Sequence, residues 1–409
     1  MTLLDPAITD PTRADELDAA DPLGRFHDEF VIADPALVYL DGNSLGRLPR
    51  RTAERLAGFV ADGWGDELVR GWDHWVDLPL EVGDRLGAAI LGAAPGQVTV
   101  SDSTTVNLYK LALAALNARR ERRVAITDRD NFPTDRYVLE GICATRGAEL
   151  RWIEGDPVDG PRVEDIRAAV DETTALVTLS HVNYRSGAIA DVAAITRAAH
   201  SVGALVLWDL SHSAGSVPVE LDAWNVDLAV GCTYKYLNSG PGAPAFLYVR
   251  RDLQGKLQNP IQGWFGQRDQ FAMAQGYDPA PGIVSWLTGT PTITALEAID
   301  AGVRLVAEAG IDAIRAKGIA LTEYAIGLHD AWLAPLGFTL GTPRDSARRG
   351  AHIAVRRADG RLLSSRLGDA GVVTDFREPD SIRLGLSPLT TSFADVRRGI
   401  ERLAEIAAA

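Results

Sequence analysis

The sequence predicts an α/β protein with a mostly parallel central sheet flanked by helices, followed by a smaller α+β domain at the C-terminal end. Three observations carry this reading. Through the middle of the chain, short apolar runs bounded by turn residues alternate with helical patterns, the rhythm that builds parallel sheets. After Thr292 that rhythm gives way to long helical periodicity, then to short strands and a final amphipathic helix. The 409 residues, 46% apolar and 23% charged, have the composition of an ordinary globular chain with a large core and about two to three folding units.

Taken in order, residues 1–50 show weak periodicity and are expected to pack with the small domain or with a partner subunit. The large domain is expected over 51–295 and the small one over 296–409. Strands are expected at RVAIT (123–127), ELRWIE (149–154), ALVTLSHV (175–182), ALVLWDL (204–210), VDLAVGC (226–232) and PAFLYV (244–249). Between them lie helical patterns near 135–146 and over VEDIRAAV and VAAITRAAHSVG. Long helices run from Thr292 to about Ala334, where Pro335 stops them. AHIAVRR, VVTDF and SIRLG read as strands of the small domain, and SFADVRRGIERLAEI as a last helix with Phe393, Val396, Ile400 and Leu403 on one stripe.

Several function classes are disfavoured by composition. A net charge of −14 without a basic, aromatic-interleaved stripe argues against a nucleic-acid or anionic-membrane partner. No apolar run reaches the roughly 18 residues of a membrane span. The start is acidic and proline-interrupted, unlike a signal peptide, so a cytoplasmic location is expected. Cys143 and Cys232 form neither a disulfide framework nor a zinc pattern, and the seven histidines lack metal-ligand spacing, so no metal is expected.

The chemistry begins with lysine usage. Of 41 basic residues only four are lysine: Lys110, Lys235, Lys256 and Lys317. In VGCTYKYLNSG, Lys235 ends an apolar run, where a lysine, unlike arginine, can lose its proton and act as a nucleophile or Schiff-base partner. Asp209 closes the apolar strand ALVLWDL and needs a cationic partner there. It reads either as a cap or salt-bridge residue, or as the acid that keeps a pyridinium nitrogen protonated. Ser101, Ser103, Thr104 and Thr105 precede a helix expected to begin near Val106, so they read either as caps or as a phosphate cup at a helix N-terminus. Lys110 and Lys317 are expected on solvated helix faces, Lys256 in a polar turn, and Cys232 as a small buried residue. Of Trp64, Trp72 and Trp75, two are expected in the core.

YLDGNSLG (39–46), DSTTVNLYK (102–110), NFPTDRY (131–137), WDLSHSAG (208–215), TYKYLN (233–238), GWFG (263–266) and RLGLSPLTTSF (383–393) together resemble the kynureninase family. These are pyridoxal 5'-phosphate hydrolases of tryptophan catabolism and pyridine-nucleotide biosynthesis, built on the aminotransferase-like fold type I. The resemblance implies that Lys235 anchors the cofactor and moves the substrate α-proton, that Asp209 pairs with the pyridine nitrogen, and that His212 sits beside the ring. It implies Phe132 stacked on the ring, with Thr104, Thr105, Asp135, Ser180 and Tyr234 completing the shell. Trp264 and Thr290 are implied to reach the phosphate from a second subunit, which makes a homodimer with shared sites. Arg383 is implied to clamp the substrate carboxylate, and Tyr234 to be the acid that protonates the departing carbanion. Ser44 resembles a substrate-side hydroxyl of the family, or is a turn residue. Trp72 stands where members preferring the 3-hydroxylated substrate tend to carry histidine, so unsubstituted L-kynurenine is expected, with His74 two residues away. At Thr290 some members carry asparagine. The implied reaction yields anthranilate and L-alanine.

Three alternatives were open at this level. A cysteine desulfurase or selenocysteine lyase would share the lysine, acid and hydroxyls but generally needs a reactive C-terminal cysteine, and none follows Cys232. A non-catalytic binding module would be expected to have lost Lys235 or Arg383. A relative acting on a substituted kynurenine would look the same.

Overall fold

The computed structural model describes residues 6–409. Near the start, α1 (Pro11–Ala19) is followed by a short strand β1 (Val38–Tyr39) and then by α2 (Arg50–Gly58), α3 (Trp72–Trp75) and α4 (Leu78–Leu86). The central part runs β2 (Val98–Ser101), α5 (Thr104–Ala118), β3 (Val124–Asp128), α6 (Pro133–Arg146), β4 (Glu149–Ile153), α7 (Val163–Ala169), β5 (Thr174–Ser180), α8 (Val192–Ser201), β6 (Leu205–Asp209), β7 (Leu228–Gly231) and β8 (Ala245–Val249). Then come α9 (Ile293–Ala309), α10 (Ile311–Leu328), β9 (Thr339–Leu340), β10 (His352–Arg356), α11 (Gly360–Asp369), β11 (Val372–Val373), β12 (Asp375–Arg377), β13 (Ser381–Gly385) and α12 (Phe393–Ala408).

The central sheet has seven strands in the order β2-β8-β7-β6-β5-β3-β4. The pairings from β7 to β4 are parallel, whereas β8 runs antiparallel to both β7 and β2. The expected strands all form. β2 lacks a sequence signal because four residues, VTVS, three of them buried, are too few to show a period. Alternate residues face opposite layers, as the pleat requires. In β6, Leu205 and Leu207 pack on the α5–α6 side, while Val206 and Trp208 pack on the α7–α8 side.

A second sheet, β12-β13-β10-β9, is antiparallel throughout. VVTDF, expected as one strand, is divided: β11 pairs in parallel with β1, and β12 joins β13. The N-terminal segment meets both cores. Ala14 and Leu40 pack with α10 and α12, and the Asp18 carboxylate accepts from the N–H groups of Phe393 and Ala394 at the start of α12. Phe26 and Phe30 instead enter the core under the central sheet.

Candidate active site

The parallel strands end on one edge, where ligands of such sheets bind. Asp128 ends β3, Ser180 ends β5, Asp209 ends β6, and the Tyr234–Lys235 turn follows β7. Across the gap stand the start of α5 and the loop between β3 and α6. Together they enclose a cavity of about 190 Å³ whose walls include Thr104, Thr105, Phe132, Asp135, Ser180, Asp209, His212, Tyr234 and Lys235. With Ser103, which lines it too, ten of the residues singled out in the sequence are therefore brought to one chamber.

Lys235 is buried at 9% exposure, and its Nζ lies 3.1 Å from His212 Nε2, its one hydrogen-bond partner among the described residues. Burial and the neighbouring cations hold His212 well below the ordinary imidazole range, so it is a neutral acceptor for the amine. The Phe132 ring centroid is 5.9 Å from Lys235 Nζ, and its edge meets Tyr184 at 5.3 Å between ring centroids. The lysine backbone is fixed from the opposite side by the DGNSLG loop. Gly46 donates its N–H to the Tyr234 carbonyl, and a Cβ at Gly46 would stand 2.2 Å from the Lys235 carbonyl oxygen, so glycine is required there.

The acids behave differently from expectation in one respect. Asp209 has no cation bonded to it; Oδ1 accepts the N–H of Ser211 at 2.8 Å. The sequence could not show this, because the turn after β6 supplies the donor from the backbone. Burial raises the Asp209 carboxyl above its ordinary value, with Ser211 and Lys235 opposing. Asp135, fully enclosed in the first turn of α6, is raised well above the carboxylate range by burial and by Asp209 and Asp128, and its Oδ2 has no partner. Tyr234 is pushed above the ordinary phenol range by burial and by Cys232, so its hydroxyl keeps its proton.

The helix start lies two residues earlier than expected. Ser103 is the N-cap and accepts the Val106 N–H through Oγ, which leaves the N–H groups of Thr104 and Thr105 in the first turn without intrahelical acceptors. The sequence reading missed Asn131. Its Oδ1 accepts both the Ser180 hydroxyl at 2.7 Å and the Phe132 N–H at 2.8 Å, tying the Phe132 loop to β5. Its place ahead of FPTD was the available signal.

Arg383 is 1% exposed on β13, and its guanidinium joins three segments of the chain. Nη1 donates to the Tyr184 carbonyl, and Nη2 donates to Ser44 Oγ at 3.2 Å and pairs with the Asp375 carboxylate. Ser44 donates to the same Asp375 oxygen, and Arg377 reaches it at 2.8 Å. Five expected residues do not line the chamber: Ser44 and Arg383, which pair as above, and Trp72, Trp264 and Thr290. Trp72 is half-buried against Trp75 and Phe265, with ring centroids 5.6 and 5.9 Å away; Trp264 is 40% exposed and Thr290 is exposed. His74 is exposed and faces Glu67. Trp75 is core, while Trp64 is 62% exposed.

Two lysines are corrected. Lys110 and Lys317 lie on helices but are buried: Lys110 Nζ meets Asp102 at 2.7 Å, and Lys317 Nζ meets Asp21 at 2.6 Å. Helical periodicity does not reveal a cover contributed by distant loops. Among the described residues no group of three or more His, Cys, Asp or Glu is placed to hold a metal.

The chamber fits pyridoxal phosphate. Lys235 has no counter-ion bonded to it, Asp209 is a buried acid in the chamber wall, Phe132 supplies a ring, and the first turn of α5 offers free donors to an anion. Fold and chamber define a fold type I pyridoxal-phosphate enzyme. A model of the aminotransferase class-V family matches residues 85–374. Kynureninase of Pseudomonas fluorescens is 42% identical over 398 residues, covering 95% of this chain and 94% of that one. Kynureninase of Burkholderia pseudomallei is 42% identical over 399 residues, with the same coverage. The chain belongs to the kynureninase family. Solved cysteine desulfurases share its fold: that of Thermococcus onnurineus superposes with TM-score 0.80 at 18% identity, over 91% of this chain and 95% of that one. The Escherichia coli enzyme gives 0.80 at 16%, over 94% and 97%.

Proposed function

We propose that this protein hydrolyses L-kynurenine to anthranilate and L-alanine, with pyridoxal phosphate held in the Lys235 chamber. The observation that carries the reading is the pairing of an uncompensated buried amine, Lys235, with a neutral histidine and a buried acid, Asp209, in a chain 42% identical to a kynureninase. Lys235 would anchor the cofactor, Asp209 would face its ring nitrogen, Phe132 and His212 its ring, and Thr104 and Thr105 its phosphate. When bound, that cofactor supplies an electron-poor ring that stabilises charge at the substrate α-carbon.

The chain's own groups then divide the proton work. The Lys235 amine takes the α-proton and passes it on, with neutral His212 as its hydrogen-bond partner. Tyr234, which keeps its proton because its phenol is buried, is the acid for the leaving β-carbon. Asp135 and Ser180 complete the chamber wall. Arg383 receives the substrate carboxylate beside Ser44, a place that the Asp375 carboxylate occupies here.

The reading extends to a homodimer. Trp264 and Thr290 lie on the surface outside their own chamber, which supports their reaching the phosphate of a second subunit. Trp72 in the place of histidine supports a preference for the unsubstituted ring. We read a large domain over 51–295 and a small one over 296–409, with residues 1–50 bridging them; the separate cluster of α10, α12 and the second sheet supports the small domain, whereas Leu296, Ile299, Val303 and Val306 of α9 pack into the large-domain core. We read the protein as a cytoplasmic enzyme of tryptophan catabolism or pyridine-nucleotide synthesis; no helix among the described residues is long and apolar enough to cross a membrane.

The test is an absorbance spectrum of the purified protein followed by addition of L-kynurenine and 3-hydroxy-L-kynurenine. A visible cofactor band with release of anthranilate is expected, faster from the first substrate. A coloured protein inert to both overturns the substrate assignment and leaves the chamber as a cofactor site.

A further inference from the structure

Lys110 lies outside the chamber, has no part in the chemistry above, and is nonetheless 0% exposed. Its ammonium has three N–H donors, and each finds an acceptor: Asp102 Oδ2 at 2.7 Å, the Trp286 carbonyl at 2.9 Å and Ser101 Oγ at 3.3 Å. This tripod explains a lysine in a chain that otherwise uses arginine, because a planar five-donor guanidinium cannot direct three bonds from one atom. The acceptors belong to two segments. Ser101 ends β2 and Asp102 follows it into the cap of α5, whereas Trp286 precedes the loop that carries Thr288 and Thr290.

Asp102 joins the same two segments from the other side. Thr288 Oγ1 is 3.1 Å from both of its carboxylate oxygens, and its backbone carbonyl accepts the Ala245 N–H of β8. Asp102 has φ +50, a left-handed conformation costly for a residue with a Cβ, which persists where surrounding bonds hold it. That conformation turns the chain so that Ser103 caps α5 and the first-turn donors of Thr104 and Thr105 face the chamber. The Asp102 carboxylate also stands one residue from that anion cup. Left unpaired, it would repel a phosphate; the Lys110 ammonium neutralises it.

We infer that Lys110 is a positioning residue for the phosphate cup: through Asp102 it fixes the turn into α5, neutralises the acid beside the cup and ties the Thr288–Thr290 loop to it. The inference rests on the reading of the chamber as a pyridoxal-phosphate site.

The experiment resolves the cofactor from purified holoenzyme and titrates back pyridoxal 5'-phosphate and unphosphorylated pyridoxal, for the wild type, Lys110→Met and Thr288→Val. Expected is a loss of about tenfold or more in affinity for the phosphorylated form in Lys110→Met, and of a few-fold in Thr288→Val, with pyridoxal affinity little changed in either. Equal weakening for both ligands would mean general structural damage and overturns the inference, as does an unchanged preference for the phosphorylated form in the variants. A wild type that does not distinguish the two ligands overturns the cofactor reading itself, and the inference with it. If Lys110→Met does not fold, Thr288→Val alone decides between these outcomes.

Discussion

The two lysines nearest the central sheet's functional edge are both buried, yet their surroundings are opposite. Around Lys110 every donor is matched and a carboxylate stands at 2.7 Å, so the pair is a closed neutral unit. Around Lys235 the nearest partner is a neutral histidine at 3.1 Å, and Asp209 and Asp135 are buried acids without a bonded cation. The difference teaches how one fold closes off one buried lysine and leaves another without a counter-ion. A satisfied ammonium is inert, whereas an amine without a counter-ion remains available for chemistry.

The comparison can be broken most directly at Lys235. Lys235→Ala is expected to reduce anthranilate formation to background and to remove the visible band of the bound cofactor, both read in one cuvette. If full activity survived, the reactive lysine would lie elsewhere. Next in size, Tyr234→Phe is expected to lower kcat about 10²-fold with little change in KM, because it removes a proton donor rather than a binding contact. Steady-state kinetics separate the two parameters.

A third variant concerns pH. Burial pushes the Asp128 carboxyl up to about 7, with Asp130 adding to it. Its folded value thus lies above an unfolded value near 3.9, so the folded state binds the extra proton between them. This group costs nothing below about pH 4 and disfavours folding progressively as the pH rises through 7, by at most roughly 4 kcal/mol. Asp128→Asn should therefore raise stability more at pH 8 than at pH 5, as urea denaturation at the two values would show.

Asp375→Asn sharpens the comparison from the small domain. On the proposed reading Arg383 takes the substrate carboxylate, and Asp375 pairs with the same guanidinium. Its neutralisation is expected to lower KM by up to about tenfold at similar kcat. A raised KM would instead make Asp375 a support for Arg383. Smallest is Lys256→Ala: Lys256 bridges Asp252 on the exposed surface at 3.3 Å, so activity and Tm should stay within the noise of an exposed pair.

Much of the site could be read from the chain because it follows local rules. Asp209 and Ser180 close apolar strands, Thr104 and Thr105 open a helix behind a serine cap, and Lys235 follows the next strand. Strand ends and helix starts are local features, and parallel strands place their carboxyl ends together. What escaped reading depends on contacts across long separations. Lys110 read as a solvated helix residue because its cover, Trp286, lies 176 positions away. The partners of Arg383 went unrecognised because Asp375, 8 positions earlier, reaches it only once β12 folds back on β13, and Ser44, 339 positions earlier, and Tyr184, 199 positions earlier, reach it from distant turns.

The sequence by itself determined the alternation of strands and helices, the residue types at the strand ends and the membership of the chain in its family. It could do so because periodicity, capping and turn chemistry act over a few residues. Only the tertiary structure decided which buried lysine is neutralised and which is left without a counter-ion. Desolvation and ion pairing depend on what distant segments bring within about 3 Å of a charge, and that distance is set by packing.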